Sequence, residues 1–285
     1  MINWKYKNEQ HILDTREGAG VPYLSFRALE NTGLVVNGFS TCLGGASRGK
    51  YATMNFSYSR GDDPEAVLEN FTRMARALGV RRDQMVVSYQ THTVNIRRVT
   101  EEDAGKGVIR ERDYQDVDGL ITDVPGLTLV TFYADCVPLY LVDPVKKAIG
   151  LSHSGWRGTV SRMGRETVNA MKEAFGTDPG DLIACIGPSI CRDCFEVGEE
   201  VAEAFAAAFD PRWHKELFSP NGKPCKYQLD LWRANEIILA EAGVRKEQIH
   251  TTNICTMCNS DYLFSHRRVG EQRGNLGAFL EIREK

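Results

Sequence analysis

Residues 127–159 read LTLVTFYADCVPLYLVDPVKKAIGLSHSGWRGT. Two apolar runs rich in β-branched residues, Leu127–Tyr133 and Leu139–Val142, flank Cys136, and a third, Ala148–Leu151, leads to His153. Runs this short and this apolar read as buried strands. Gly155 and Gly158, with Arg157 between them, then open a helical pattern. Backbone N–H groups are unpaired where a strand turns into a helix, so ligating or reactive groups gather there. Cys136 and His153 both fall at strand ends beside that turn, with Arg157 at the helix entrance. This is the layout of a site and not of a core.

Working outward, Val35–Thr41 reads as a strand followed by the Gly-rich loop CLGGASRGKYATMNF. Asp62-Asp63-Pro64 predicts a helix start, since either Asp can cap and Pro suits the first turn. Val67, Leu68, Phe71, Met74, Ala75 and Leu78 form its apolar face, and Gly79 ends it. Met85–Tyr89 is a strand running into Gln90-Thr91-His92, and Val117–Thr122 is another. Beyond the central block, Gly158–Phe175 reads as one helix, Leu182–Ile186 as a strand, and Glu199–Phe209 and Leu229–Ala242 as helices. Residues 210–226, rich in proline, read as a linker or excursion, and the first thirty residues predict nothing definite. Strands and helices are interspersed, which predicts a mixed-sheet α/β or α+β fold rather than a regular barrel.

The totals narrow the function. The chain has 285 residues, 42% hydrophobic and 26% charged, with a net charge of −3. That balance gives no electrostatic reason to expect nucleic acid or a membrane surface. No apolar run approaches membrane-spanning length and the N-terminus has no apolar export region, so the cytoplasm is the expected location. Eight cysteines are then better read as thiols or ligands than as a disulfide framework.

Four groups of residues have chemical potential. His92, Cys136 and His153 are a candidate zinc set that leaves a fourth position open, although their wide spacing alone favours a hydrogen-bonded His and an ordinary buried Cys. Cys136 and His153 are also a candidate nucleophile and base, with Asp135 and Ser152 beside them in sequence. The pairs Cys191/Cys194 and Cys255/Cys258 have zinc-site or dithiol spacing. About sixty residues separate the pairs, far more than a compact zinc ribbon uses, so isolated thiols are the favoured reading. Arg48, Arg157 and Arg267-Arg268 lie near glycine or at a turn, where guanidinium forks suit phosphate or carboxylate. Trp156 or Tyr133 can stack on a flat ring or fill the core. No GxGxxG or GxxxxGK[ST] pattern occurs.

QTH (90–92), VDGLIT (117–122), ADCVPLYLVDP (134–144), AIGLSHSGWRGT (148–159), CIGPSICRDCFEVGEEV (185–201) and YLFSHRR (262–268) follow one another in this order. Together they resemble the YfiH/YlmD-type family, labelled laccase-domain or polyphenol oxidase proteins and related to the human protein FAMIN. The resemblance runs from about Phe39 to Ile282. It implies one domain over 1–285 with a layered α/β/β/α fold of mixed sheets, like that of a cysteine-dependent deamidase. It further implies a zinc-dependent enzyme that phosphorolyses adenosine, inosine, guanosine and methylthioadenosine and deaminates adenosine. Its implied metal ligands fall on His92, Cys136 and His153, and purine nucleosides and phosphate are the implied small-molecule partners. By chemistry rather than by resemblance, Arg48 and Arg157 are the candidate phosphate donors and Asp135 the candidate proton shuttle.

The sequence departs from the family pattern at Cys42, where TRxGG is usual, at Arg273-Gly274-Asn275 in place of Gly-Arg-Met, and at Ser154 in place of Ala. A cysteine hydrolase, such as a peptidoglycan-precursor editing amidase, is the alternative from another reaction class; a non-catalytic zinc-stabilised protein is a third. The older label implies copper, but multicopper oxidases need many His ligands and this chain has six His in total.

Overall fold

The computed structural model of the chain describes residues 2–284. Its strands in chain order are β1 (Leu13–Gly18), β2 (Val21–Phe26), β3 (Val35–Ser40), β4 (Met85–Val87), β5 (Ile96–Arg98), β6 (Gly119–Thr122), β7 (Thr128–Tyr133), β8 (Val137–Asp143), β9 (Ala148–Ser154), β10 (Ile183–Ile186), β11 (Glu196–Gly198), β12 (Phe218–Pro220), β13 (Lys226–Leu229), β14 (Ile249–Thr251) and β15 (Leu276–Ile282). The helices are α1 (Arg27–Glu30), α2 (Pro64–Leu78), α3 (Trp156–Val160), α4 (Met163–Phe175), α5 (Glu199–Ala208), α6 (His214–Leu217), α7 (Leu231–Glu241) and α8 (His266–Val269).

Two six-stranded sheets, ordered β1-β2-β3-β15-β7-β4 and β14-β10-β8-β9-β6-β5, form the middle layers. Both are mixed, because β4 pairs parallel with β7, β5 with β6 and β10 with β14, while the other pairs are antiparallel. The period-2 alternation of strand side chains explains how both faces are buried. Along β7, Leu129 and Tyr133 enter the core between the sheets while Val130 packs with Phe71 and Met74 of α2. Along β8, Tyr140 and Val142 enter that same core while Leu139 and Leu141 pack with α4 and α7. The result is helix, sheet, sheet, helix, the expected α/β/β/α layering. Each fully buried Leu or Val here contributes roughly 1.5–3 kcal/mol. Two buried phenols cross between the sheets and are satisfied there: Tyr140 Oη donates to the Gly38 carbonyl at 2.9 Å and Tyr133 Oη to the Ser152 carbonyl at 3.0 Å.

Several local expectations are met at residue level. Asp63 caps α2 by accepting from the Glu65 amide at 3.0 Å, and Gly79 closes it in the left-handed region at φ 71°. One expectation changes, and two stretches left open by the sequence are decided. Gly158–Phe175 is two helices, α3 and α4, broken at Arg162, whose φ is 66° and whose guanidinium reaches Glu241 and covers the Phe209 ring. The apolar period continues across this break, so periodicity alone conceals it. Residues 210–226 are an ordered excursion: β12 joins β13 and β11 in a small three-stranded sheet. The opening residues form a hairpin, β1 with β2, through a turn at Ala19-Gly20 with both φ positive.

Candidate metal centre and cavity

The β7–β8 connection brings Cys136 to the start of β8 through Asp135, held at φ 89°. That backbone conformation is unfavourable for a non-Gly residue and is held in place by the Asp135 carboxylate. One of its oxygens accepts from Thr256 Oγ1 at 2.6 Å and the other from the Arg267 amide at 2.6 Å. His153 sits near the end of β9, opposite Pro138 of the adjacent β8. His92 follows β4 at φ 68°. One ligand atom from each of His92, Cys136 and His153 lies within 4.8 Å of the others. The structure thus brings together three residues that are far apart in the chain.

Asp118, not among the residues singled out in the sequence, organises this set. It is fully buried at the head of β6. Its carboxylate contacts His153 Nδ1 at 2.8 Å and accepts from the backbone amides of Thr91, His92 and Thr93 at 2.8, 3.1 and 3.1 Å. One carboxylate therefore fixes the ring of one histidine and the loop that carries another, leaving His153 Nε2 for the cluster. The available signal was a charge heading an otherwise apolar strand, which burial tolerates only with partners. Gly155 completes the fit: a Cβ there would sit 3.0 Å from Cys136 Sγ and 3.2 Å from His92 Cδ2.

Burial by itself would raise the Cys136 thiol, but the charge and hydrogen bond of His153, aided by His92, bring it down to about 6. Burial would likewise lower His153, yet Cys136 and Asp118 carry it up to about 9. The pair therefore favours thiolate and imidazolium, a state from which a soft cation readily displaces the proton.

A cavity of about 590 Å³ opens on this cluster, lined by His92, Cys136, His153, Tyr58, Tyr89, Phe132, Tyr133, Arg60, Arg112 and Arg273 among others. A second, of about 470 Å³, lies on its other side and shares Arg60, His92, Cys136 and Arg273 while adding Asp135, Trp156 and Arg267. Arg60 and Arg273 thus stand where the two meet. Burial and the neighbouring Arg60 lower Arg273 to about 10, and its Nε is buried without a partner. Neither Arg48 nor Arg157, the two expected anion donors, lines either cavity; both are exposed, and Arg157 stacks over Trp156 at 4.4 Å. Tyr133 and Trp156 do line them, one each. Cys42 is buried in the core between the sheets, outside both cavities. The Ser154 hydroxyl is absorbed locally, bonded to Thr159 Oγ1 at 2.9 Å and to Asn235 Oδ1 at 3.1 Å.

The two CxxC pairs, for which isolated thiols were the favoured reading, come together. The four sulfurs of Cys191, Cys194, Cys255 and Cys258 all lie within 4.8 Å of one another. The loop after β10 and the segment after β14 are adjacent because those strands pair, and chain separation does not report that.

A family model described as "Multi-copper polyphenol oxidoreductase laccase" matches residues 36–283, and the chain belongs to this family. It is 34% identical over 259 residues to "Purine nucleoside phosphorylase YlmD" of Bacillus subtilis, an alignment covering 90% of this chain and 91% of that one. It is 36% identical over 256 residues to a "Purine nucleoside phosphorylase" of Bacteroides thetaiotaomicron, covering 89% and 93% of the two chains. "Adenosine deaminase RL5", from an unknown prokaryotic organism, is 36% identical over 241 residues, covering 84% and 91%. Among solved structures, Bacillus licheniformis YfiH superposes with a TM-score of 0.87 at 30% identity, covering 92% of this chain and 96% of that one. The donor set fits the nucleoside names better than the copper one. Among the described residues, the two groups able to hold a metal contain only two histidines between them, too few for several copper centres. No described helix is long and apolar enough to cross a membrane.

Proposed function

We propose that the chain is a zinc-dependent purine nucleoside phosphorylase that also deaminates adenosine, with zinc held by His92, Cys136 and His153. The observation that carries this reading is the meeting of three soft or borderline donors with two cavities and a pair of arginines. Three protein ligands and a free position suit zinc used in catalysis. When bound, zinc supplies Lewis-acid polarisation and makes water acidic enough to react near neutral pH. The larger cavity has the size and aromatic lining of a small-molecule site. Tyr58, Tyr89 and Phe132 are the faces on which a purine stacks in this reading.

Phosphorolysis needs an anion held beside the ribose carbon that the base leaves. Arg60 and Arg273, side by side at the junction of the cavities, take that role in place of Arg48 and Arg157. Arg273 is already desolvated, which strengthens its pull on a phosphate oxygen. Asp135 acts as a positioning residue for the Cys136 turn and not as the proton shuttle, since both its oxygens are occupied. The same chain over 1–285 is read as one domain, its site built from both large sheets.

A cysteine hydrolase is the second reading, favoured by the Cys136, His153 and Asp118 series with its lowered thiol and raised imidazole. That series gives His92 only a supporting part beside the Cys136 thiol, whereas metal binding uses all three donors directly. The test is turnover of inosine with and without phosphate. Free base and ribose 1-phosphate are expected only with phosphate present, and only in zinc-loaded protein. Full activity in zinc-free protein, or hydrolysis indifferent to phosphate, overturns the reading.

A further inference from the structure

We infer that Cys191, Cys194, Cys255 and Cys258 form a second metal site, a tetrathiolate that holds one zinc for structural purposes and pins the Asp135 turn. Four thiolates around one zinc, with zinc–sulfur bonds of about 2.3 Å, place their sulfurs about 3.8 Å apart. Here all four lie within 4.8 Å of one another, and Cys194 Sγ to Cys258 Sγ is 3.5 Å. An iron–sulfur cluster would hold the thiolates farther apart, because its own irons and sulfides fill the space between them. No position is left open, which is the mark of a structural zinc.

The surroundings are built for thiolates. The Cys191 amide donates to Cys255 Sγ at 3.3 Å. Such an N–H group stabilises sulfur charge without occupying a coordination position. Cys191 and Cys255 are buried while Cys194 and Cys258 are half-exposed, so an ion can enter from the outer pair. Lys7, paired with Asp193 inside the first CxxC, adds a positive charge nearby.

The site reinforces a junction that strand pairing and short bridges already begin, at Ser189 with Cys255 and at Tyr6 with Ile254. Thr256, inside the second pair, is the residue whose hydroxyl holds Asp135 next to Cys136. The Ile190 amide, just before the first pair, donates to the Asp135 carbonyl at 3.0 Å. Asn259, just after the second, accepts from the Lys5 amide at 2.8 Å and donates to the Lys5 carbonyl at 3.1 Å. One ion therefore ties the N-terminal segment, the loop after β10 and the segment after β14 to the turn that presents Cys136.

This inference does not rest on the proposed activity, and zinc analysis tests the two separately. Protein purified without added metal or chelator is expected to hold two zinc ions per chain. The Cys136→Ser, His153→Ala variant, and independently His92→Ala at an exposed position, are expected to keep one. Cobalt exchanged into the first variant is expected to give the intense near-ultraviolet sulfur-to-cobalt bands and visible absorption of a four-thiolate tetrahedral ion. A retained zinc with no purine turnover in wild type leaves this site standing and sinks the phosphorylase reading. Zinc-free protein once the His92 cluster is emptied overturns the inference. So does iron at these cysteines, or a Cys194–Cys258 disulfide in protein supplied with zinc.

Discussion

The His92–Cys136–His153 cluster and the four-cysteine cluster each gather ligating atoms within 4.8 Å, yet they differ in what surrounds them. The first has three donors, opens on two cavities and is backed by the Asp118 carboxylate. The second has four sulfurs, lines neither cavity and is backed by the Cys191 amide. A missing fourth ligand leaves room for a reactant, while a complete set excludes one. In the proposed reading the same element would therefore serve chemistry at the first cluster and cross-linking at the second. Asp135 lies between them, its backbone leading to Cys136 and its carboxylate bound to Thr256.

The largest effects separate the clusters directly. Cys136→Ser with His153→Ala is expected to lower turnover roughly a thousandfold or more, the scale of losing a principal electrostatic stabiliser. Its Tm is expected to stay within a few degrees of wild type. Cys194→Ser with Cys258→Ser is expected to do the reverse, lowering Tm by roughly 10 °C while folded protein keeps most of its turnover. Calorimetry and steady-state kinetics on both variants check this. Equal loss of both properties in both variants would erase the distinction.

Next in size are the anion donors. Arg273→Ala and Arg60→Ala are each expected to raise the phosphate KM about 10–100-fold, since a charge-assisted hydrogen bond contributes about 1.5–3 kcal/mol. Arg48→Ala, at an exposed position outside both cavities, is expected to change it less than about twofold, well under the contribution of one such bond. Phosphate saturation curves decide, and a reversed order would move the anion site to the loop around Arg48.

Asp118→Asn sharpens the contrast between carboxylate and amide support. Zinc affinity at the His92 cluster is expected to fall about 10–100-fold, as for other partners of metal-bound histidine. The four-cysteine site is expected to keep its zinc. Competition with a chromophoric chelator reads both steps, and one unshifted step combined with one weakened step is the expected trace.

The smallest effect concerns the thiol itself. Thiolate is the reactive form, and Cys136 is held down to about 6 against an ordinary 9.0. In zinc-free protein, alkylation of Cys136 by iodoacetamide is therefore expected to fall as pH drops through about 6 and to be level above it. Zinc is expected to protect the residue across that range. A rise only near pH 9.0 would remove the Cys136–His153 pairing, and rapid alkylation of zinc-replete enzyme would favour the hydrolase.

The central block was readable because its strands are buried on both faces, which makes β7, β8 and β9 nearly continuous apolar runs. The start and stop of α2 were readable because Asp63 and Gly79 act through local backbone chemistry. β15, between β3 and β7 in the first sheet, does not stand out in the sequence. Gly277 interrupts its apolar run, and that glycine is required because a Cβ would sit 2.7 Å from the Phe279 ring. Donor chemistry makes His92, Cys136 and His153 candidates and the family resemblance singles them out, while Asp118 stays hidden, since an aspartate announces nothing until its partners are known.

What the sequence determined alone was whatever acts through neighbours along the chain: strand burial, helix caps, turn residues and the chemical identity of each donor. Only the tertiary structure decided which donors converge. It put Arg60 and Arg273 at the cavities and left Arg48 and Arg157 outside. It also joined two CxxC pairs that lie far apart in sequence, because β10 and β14 run side by side. The physical reason is that coordination and electrostatics depend on distances of a few ångströms through space, and pairing of strands sets those distances with no regard to separation along the chain.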